Sequence, residues 1–181
     1  VVLVFLVIAM TASLLAPLDP YIQNSDMKFV PPIWQEGGHL PFVLGTDILG
    51  RDVLSRLIYG SRLSIMIGFI SVMVGASVGI PLGMASGYLG GMVDTAIMRV
   101  IDIMLAFPSI LLAVCIVAIL GPSLENAMIA IGIVAIPQYA RVVRASVLTE
   151  KEREYVAADI ALGRSGTAIL FKAILPNVFS P

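Results

Sequence analysis

The stretch LSIMIGFISVMVGASVGIPLGMASGYLGGMV, Leu63 to Val93, holds no charged residue and carries glycine at every fourth position: Gly75, Gly79, Gly83, Gly87 and Gly91. A run of this length exceeds the about 20 apolar residues that a helix needs to cross a hydrocarbon core. On an α-helix residues four apart lie on one face, so the glycines form a flat stripe, drifting slowly around the axis, against which another backbone can come close. The run therefore reads as a membrane helix, with Gly75, Gly79, Gly83 and Gly87 as its helix-packing positions.

Composition extends that reading to the whole chain. Of its 181 residues 59% are hydrophobic and 13% charged, and the mean hydropathy is +1.00, whereas a soluble domain has about 25% charged residues. The expected fold is all-α, a polytopic transmembrane helical bundle of about four spans. Residues 1–18 form a first, truncated membrane helix; a signal peptide is the rival, but the run is long for a signal core and has no basic segment before it. Residues 19–62 form an external loop containing Gly45-Thr46-Asp47-x-x-Gly50-Arg51-Asp52, and residues 63–181 form the membrane core. Within that core Ile103 to Gly121 would reach about 28 Å as one helix. The shorter run from Asn126 to Ala140 can be lengthened by Arg141 and Arg144 snorkelling toward an interface.

Orientation follows from the basic residues, because short loops rich in Lys and Arg stay cytoplasmic. Arg141, Arg144, Lys151, Arg153, Arg164 and Lys172 all follow the fourth run, and the GPSLEN segment before it has none. The region after Ala140 is therefore expected in the cytoplasm, and with four crossings the N-terminus as well. Lys28, Arg51, Arg56 and Arg62 oppose this, but they lie in a long loop that also carries acids, where the rule has less weight.

Several chemistries are disfavoured. A net charge of −1 gives no general attraction to nucleic acid. The lone Cys115, in an apolar run, reads as packing and excludes a disulfide framework or a cysteine metal cluster. Gly75-Ala-Ser77-Val-Gly79 matches a nucleophile elbow, but that pattern needs a strand–turn–helix context, and the only histidine, His39, is in the loop. There is no H-E-x-x-H pattern and no P-loop.

Pro81 and Pro108 each can kink a helix; ordinary kinks and a hinge beside a pathway are both open. Arg99 and Asp102 lie three apart on one helical face, with Asp94 earlier. They read as a solvated helix end, or, with Pro108, as part of a pathway or gate.

The stretch EYVAADIALGRSGTAILFKAILPN, Glu154 to Asn177, follows charged residues that cannot enter lipid. Tyr155, Val156, Ala158 and Leu162 recur at helical spacing, Gly163 suits a left-handed cap, and a second amphipathic piece from Thr167 to Leu175 leads to Pro176. The result is a helix–turn–helix elbow with a small-residue face fit for docking on another protein. A helix lying on the membrane surface is an equal rival on these grounds.

The elbow resembles the cytoplasmic coupling loop, the EAA loop, of ABC importer membrane subunits: Gly163 occupies the glycine position and Ile174-Leu175-Pro176 is similar to the closing motif. Leu44 to Ser64, Gly87 to Ser109 and Arg153 to Ser165 resemble the dipeptide/oligopeptide/nickel permease family, in particular the second of its two paired permeases. Where that family usually has Glu-Ala-Ala, this chain reads Ala157-Ala158-Asp159, with the acid displaced by two places.

The resemblance implies a permease subunit of an ATP-driven importer in the cell inner membrane. Its partners would be a homologous permease, two cytoplasmic ABC ATPases and an extracytoplasmic solute-binding protein. It would bind no cofactor, since ATP is held by the partner ATPases, and it would not itself be an enzyme. Coupling would fall to Glu154, Tyr155, Ala157, Ala158, Asp159, Leu162, Gly163 and Pro176. The substrate would be a peptide, nickel, glutathione or another small solute. Family members continue through two further helices, so this chain is expected to be a piece that lacks the true start and the last two spans. The alternatives are a channel-like pore protein, a non-transport membrane scaffold and a membrane enzyme; the spans carry no ring-forming filter motif and no convergent nucleophile and base.

Overall fold

The computed structural model describes residues 2–178, and regular structure among them is helical, apart from an isolated antiparallel bridge between Thr46 and Asp52. The chain divides at Gly68 and Phe69 into two compact units.

The first unit opens with α1 (Val2–Met10) and α2 (Ala12–Leu15). The expected first span over 1–18 is not one rod. Thr11 leaves helical geometry at φ −96° and ψ 12°, and Ala16, before Pro17, turns extended. Even taken together, α1 and α2 rise only about 21 Å, less than the about 30 Å of a hydrocarbon core.

An irregular segment follows, organised by the motif that begins at Gly45. Asp47 Oδ1 accepts from the backbone N–H groups of Leu49 (2.8 Å) and Arg51 (3.0 Å), and Oδ2 accepts from Arg51 Nε at 2.9 Å and from Arg56 Nη1. Asp52 caps the next helix, its Oδ2 accepting from Ser55 N–H at 2.8 Å. That helix, α3 (Val53–Leu89), has 37 residues and rises about 55 Å. It starts at the Asp52 cap, so residues 53–62 of the expected external loop are helical.

The second unit contains the rest of α3, followed by α4 (Gly91–Ala106), α5 (Ser109–Leu120), α6 (Leu124–Lys151), α7 (Glu154–Ala161) and α8 (Gly166–Val178). Pro81 lies inside an unbroken α3. The break comes instead at Gly90 and Gly91, with φ of +65° and +54°, a region that only glycine enters cheaply. Gly91 therefore begins α4 and does not continue the stripe.

Pro108 differs from Pro81. Phe107 is extended ahead of it, as the proline ring demands, and α4 and α5 meet at 94°. The expected straight span from Ile103 to Gly121 is thus a bent pair, and α5 alone, with 12 residues, rises only about 18 Å. The fourth run is longer than expected: α6 has 28 residues, capped at its start by Ser123 Oγ, which accepts from Asn126 N–H at 3.0 Å. By length and apolarity α3 and α6 can each cross a membrane, and the bent α4–α5 pair raises the number to three if it counts as one span, where four were expected.

Two apolar clusters hold the second unit. Ile101, Ile136 and Ala140 join α4 to α6, with Leu82 of α3 against them. Met84, Val143, Val147, Val156, Ile169, Ala173 and Ile174 join α3, α6, α7 and α8. Within α8, Ile169–Ile174 widens into a π-helical turn. Pro176, expected to close the helix, lies beyond it inside a further helical turn, Leu175–Val178. Its ring would crowd the Lys172 carbonyl in a regular α-helix, and the wider turn makes room.

Candidate functional site

The glycine stripe lies against α6. A Cβ at Gly79 would stand 2.6 Å from Tyr139 Cβ and 2.8 Å from the Ile136 carbonyl oxygen; at Gly83, 2.6 Å from the Ala140 carbonyl oxygen; at Gly87, 2.9 Å from Val147. Gly75 faces Gly132, whose own Cβ would strike Val74. Backbone meets backbone over more than three turns, and Ser71 Oγ, donating to the Met128 carbonyl at 3.2 Å, extends the contact. Ser77, of the nucleophile-like pattern, donates to the Val74 carbonyl within its own helix at 3.0 Å.

At one end of this pair, acids of α4 meet bases of α6. Asp94 receives Arg144 at two points, Nε to Oδ1 and Nη2 to Oδ2, each 2.6 Å, and Ser86 Oγ of α3 also donates to Oδ1. Asp102 receives Arg141 Nη2 at 2.6 Å, in an exposed pair. Arg99, exposed on α4, is in neither pair. Sequence reading set Arg99 beside Asp102 and assigned Arg141 and Arg144 to snorkelling, without pairing them to these acids. The available signal was chemical: acids next to an uncharged span need bases, and Arg141 and Arg144 flank the other span.

The elbow hangs from the same end. Val156 is the single buried anchor of α7. Tyr155 Oη donates to Glu150 Oε2 at 2.7 Å and accepts from Asn177 Nδ2 at 3.3 Å, tying α6, α7 and α8 together. Burial and the Glu150 carboxylate push the Tyr155 phenol up. Lys151 Nζ donates to the Tyr88 carbonyl at 2.7 Å and sits 5.4 Å from the centre of its ring.

The remaining face of α7 is open: Glu154, Ala157 and Ala158 are exposed, Ile160 is 59% and Leu162 82% exposed. Asp159 points back, pairing with Arg164 at 2.7 Å across the turn. At the apex Gly163 has φ +73°, and a Cβ there would meet nothing within 4 Å. Its requirement is conformational, not spatial. Ser165 Oγ accepts weakly from Ala168 N–H, 3.4 Å, at the start of α8. Pro176 is exposed in the last turn of α8, away from this apex in sequence. Cys115, read as packing, is exposed on α5.

Residues 79–181 match the family described as binding-protein-dependent transport system inner membrane component. The chain is 47% identical over 180 residues to the dipeptide transport system permease protein DppC of Haemophilus influenzae, covering 99% of this chain and 61% of that protein. It is 50% identical over 173 residues to the di/tripeptide transport system permease protein DppC of Pseudomonas aeruginosa, covering 96% and 57%. To the dipeptide transport system permease protein DppC of Escherichia coli it is 49% identical over 180 residues, covering 99% and 60%. The chain thus spans between 57% and 61% of the length of these relatives.

Proposed function

The chain belongs to the binding-protein-dependent transport system inner membrane component family, and from that premise we propose that it serves as a permease subunit of an ATP-driven importer of short peptides. It forms half of the pathway with a homologous permease. A solute-binding protein delivers substrate on the outer side, and two ATPases act from the cytoplasm. The chain holds no nucleotide; ATP binds to the partners.

One observation carries this reading: the open, small-residue face of α7, joined to α8 through a left-handed glycine and anchored on the ends of α3 and α6. A helix held by one buried valine and two polar ties, with Ala157, Ala158, Ile160 and Leu162 uncovered, fits a groove on a partner. Force applied there passes through Val156, Tyr155 and Lys151 into the α3–α6 pair, whose backbone contact leaves no slack. The two helices tilt together, and access alternates.

The broken α4–α5 pair supports a pathway role for Pro108. Irregular backbone at membrane depth is tolerated only where protein covers it or water lines it. Arg99 and Asp102 would then lie on the gate side of the same helix. The basic residues from Arg141 onward support a cytoplasmic elbow; the same side for the N-terminus was expected from four crossings, and three crossings do not carry it.

The test is the assembled transporter in proteoliposomes. Gly163→Val should leave membrane insertion intact and abolish dipeptide uptake while ATP hydrolysis persists, because a β-branched residue is strained at φ +73°. Gly163→Asn, which tolerates that conformation, should retain uptake. Normal uptake in Gly163→Val would sink the coupling role.

A further inference from the structure

The first unit contains a cleft of about 570 Å³ that the transport reading leaves without an occupant. It is lined by Tyr21, Arg51, Arg56, Tyr59 and Arg62, and then by Leu63 and Met66. From Arg56 to Met66 α3 rises about 15 Å, so the lining passes from guanidinium and phenol groups to bare hydrocarbon along one helix.

The charges in the cleft do not cancel. Arg51 and Arg56 share the one carboxylate of Asp47. Arg62 donates to the neutral carbonyls of Ala9 (2.6 Å) and Met10 (3.4 Å) and lies 5.3 Å from the centre of the Tyr59 ring, so among the described residues its charge has no acid opposite. Asp19, in the adjoining cleft beside Tyr59, accepts from Tyr21 N–H at 2.8 Å. Asp52 is buried, its Oδ2 taken by the Ser55 cap. Three guanidiniums therefore stand against Asp47 within the site and Asp19 at its edge.

Position selects the ligand. Arg62 is the last charged residue before the uncharged run that continues to Val93, which sets the cleft at the water–hydrocarbon boundary of α3. Tyr21 and Tyr59 are the residue type favoured at that level. Leu63 and Met66, 41% and 45% exposed, continue the floor toward the hydrocarbon. A small soluble anion would use only the arginines and would leave that floor bare.

We propose that this cleft binds the phosphodiester headgroup of an anionic phospholipid, with one acyl chain lying along Leu63 and Met66. Arg56 and Arg62 supply free donors to the phosphate, and Arg51 is held in place by Asp47.

Native mass spectrometry of the purified protein, titrated with phosphatidylglycerol or with phosphatidylcholine of matched chains, tests this. The expected result is preferential retention of phosphatidylglycerol, reduced about fivefold for each guanidinium removed in Arg56→Gln and in the Arg56→Gln/Arg62→Gln double variant. Lys28→Gln, an exposed charge outside the cleft, should change nothing. Millimolar inorganic phosphate should not displace the lipid, and Met66→Gln should weaken it. Arg56→Gln alone suffices if the double variant unfolds, since Asp47 keeps its bonds to Arg51. Equal retention of the two lipids, an equal loss in Lys28→Gln, or displacement by inorganic phosphate or by a peptide carboxylate would overturn the proposal.

Discussion

Asp94 of α4 and Arg144 of α6, 50 residues apart in the chain, meet as a two-point ion pair whose carboxylate also accepts from Ser86 of α3. Three helices are thus cross-linked at one carboxylate, next to the anchor of the elbow.

Arg144→Gln should lower the thermal midpoint of the purified protein, at a cost of about 1–2 kcal/mol, because the pair keeps part of its surface in solvent. Arg144→Lys should recover only part of the loss, since an ammonium cannot reproduce the fork. Arg99→Gln is the control, and the same shift there would remove the bracing role. A double-mutant cycle with Asp94→Asn isolates the coupling.

The α3 glycines should divide by environment. Gly79→Ala should destabilise by about 1–3 kcal/mol through overpacking against Tyr139 and Ile136, and Gly79→Leu should prevent assembly. Gly68→Ala, with nothing within 4 Å of its Cβ, should stabilise by up to about 1 kcal/mol. Thermal midpoints in one detergent decide it, and a common sign for both alanine variants would contradict the packing described.

Much of this was legible in advance, and the limits have physical causes. The four-residue glycine period is local, so it reports a face whatever that face meets; that α6 supplies the partner is a tertiary fact. Gly163 announced its conformation because few residues other than glycine adopt it cheaply. Pro81 and Pro108 looked alike in sequence, yet α3 runs through one, while at the other Phe107 goes extended and the chain turns by 94°. Arg144 and Asp94 could not be paired from spacing, because their register depends on how α4 folds back along α6. Asp159, displaced from the usual acidic position, bonds to Arg164 across the turn, a pairing that the spacing did not announce.

Asp159 and Arg164 bridge the turn around Gly163, so their variants should behave alike. Asp159→Ala and Arg164→Gln should each loosen the turn by no more than about 1 kcal/mol, as a partly exposed ion pair does. In a pull-down of the ATPase both should weaken capture modestly and to the same degree. A large loss in Asp159→Ala alone would mean that the carboxylate contacts the partner directly.

The Asp47 hub predicts a pH dependence. Desolvation works to raise its carboxyl, but hydrogen bonds from the Arg51 and Leu49 backbones and the Arg51 guanidinium outweigh it and hold the group well below the usual carboxylate range. A depressed folded value means that the stabilisation is complete above the unfolded value, about 3.9, and is lost as pH falls through the folded one. Denaturant midpoints read from Trp34, the one tryptophan, should hold steady from neutral pH to about pH 4 and drop below it. Asp47→Asn should start lower at neutral pH and show a smaller acid drop. A midpoint that falls already between pH 6 and 5 in both proteins would place the sensitivity elsewhere.

Orientation is open to labelling in a Cys115→Ala background. Gln35→Cys should react with an impermeant thiol reagent from outside intact cells, and Thr149→Cys only in inside-out vesicles; both positions are exposed. External reaction at both would overturn the cytoplasmic elbow.

Where Gly75, Gly79, Gly83 and Gly87 meet α6, evolution is left without a fine adjustment. Glycine has no smaller neighbour in the amino-acid alphabet, so every residue change at these positions adds atoms where a first carbon already comes within about 3 Å of α6. The contact can be broken by a single nucleotide but not relaxed by one, and drift in this helix pair has to occur on its outward faces.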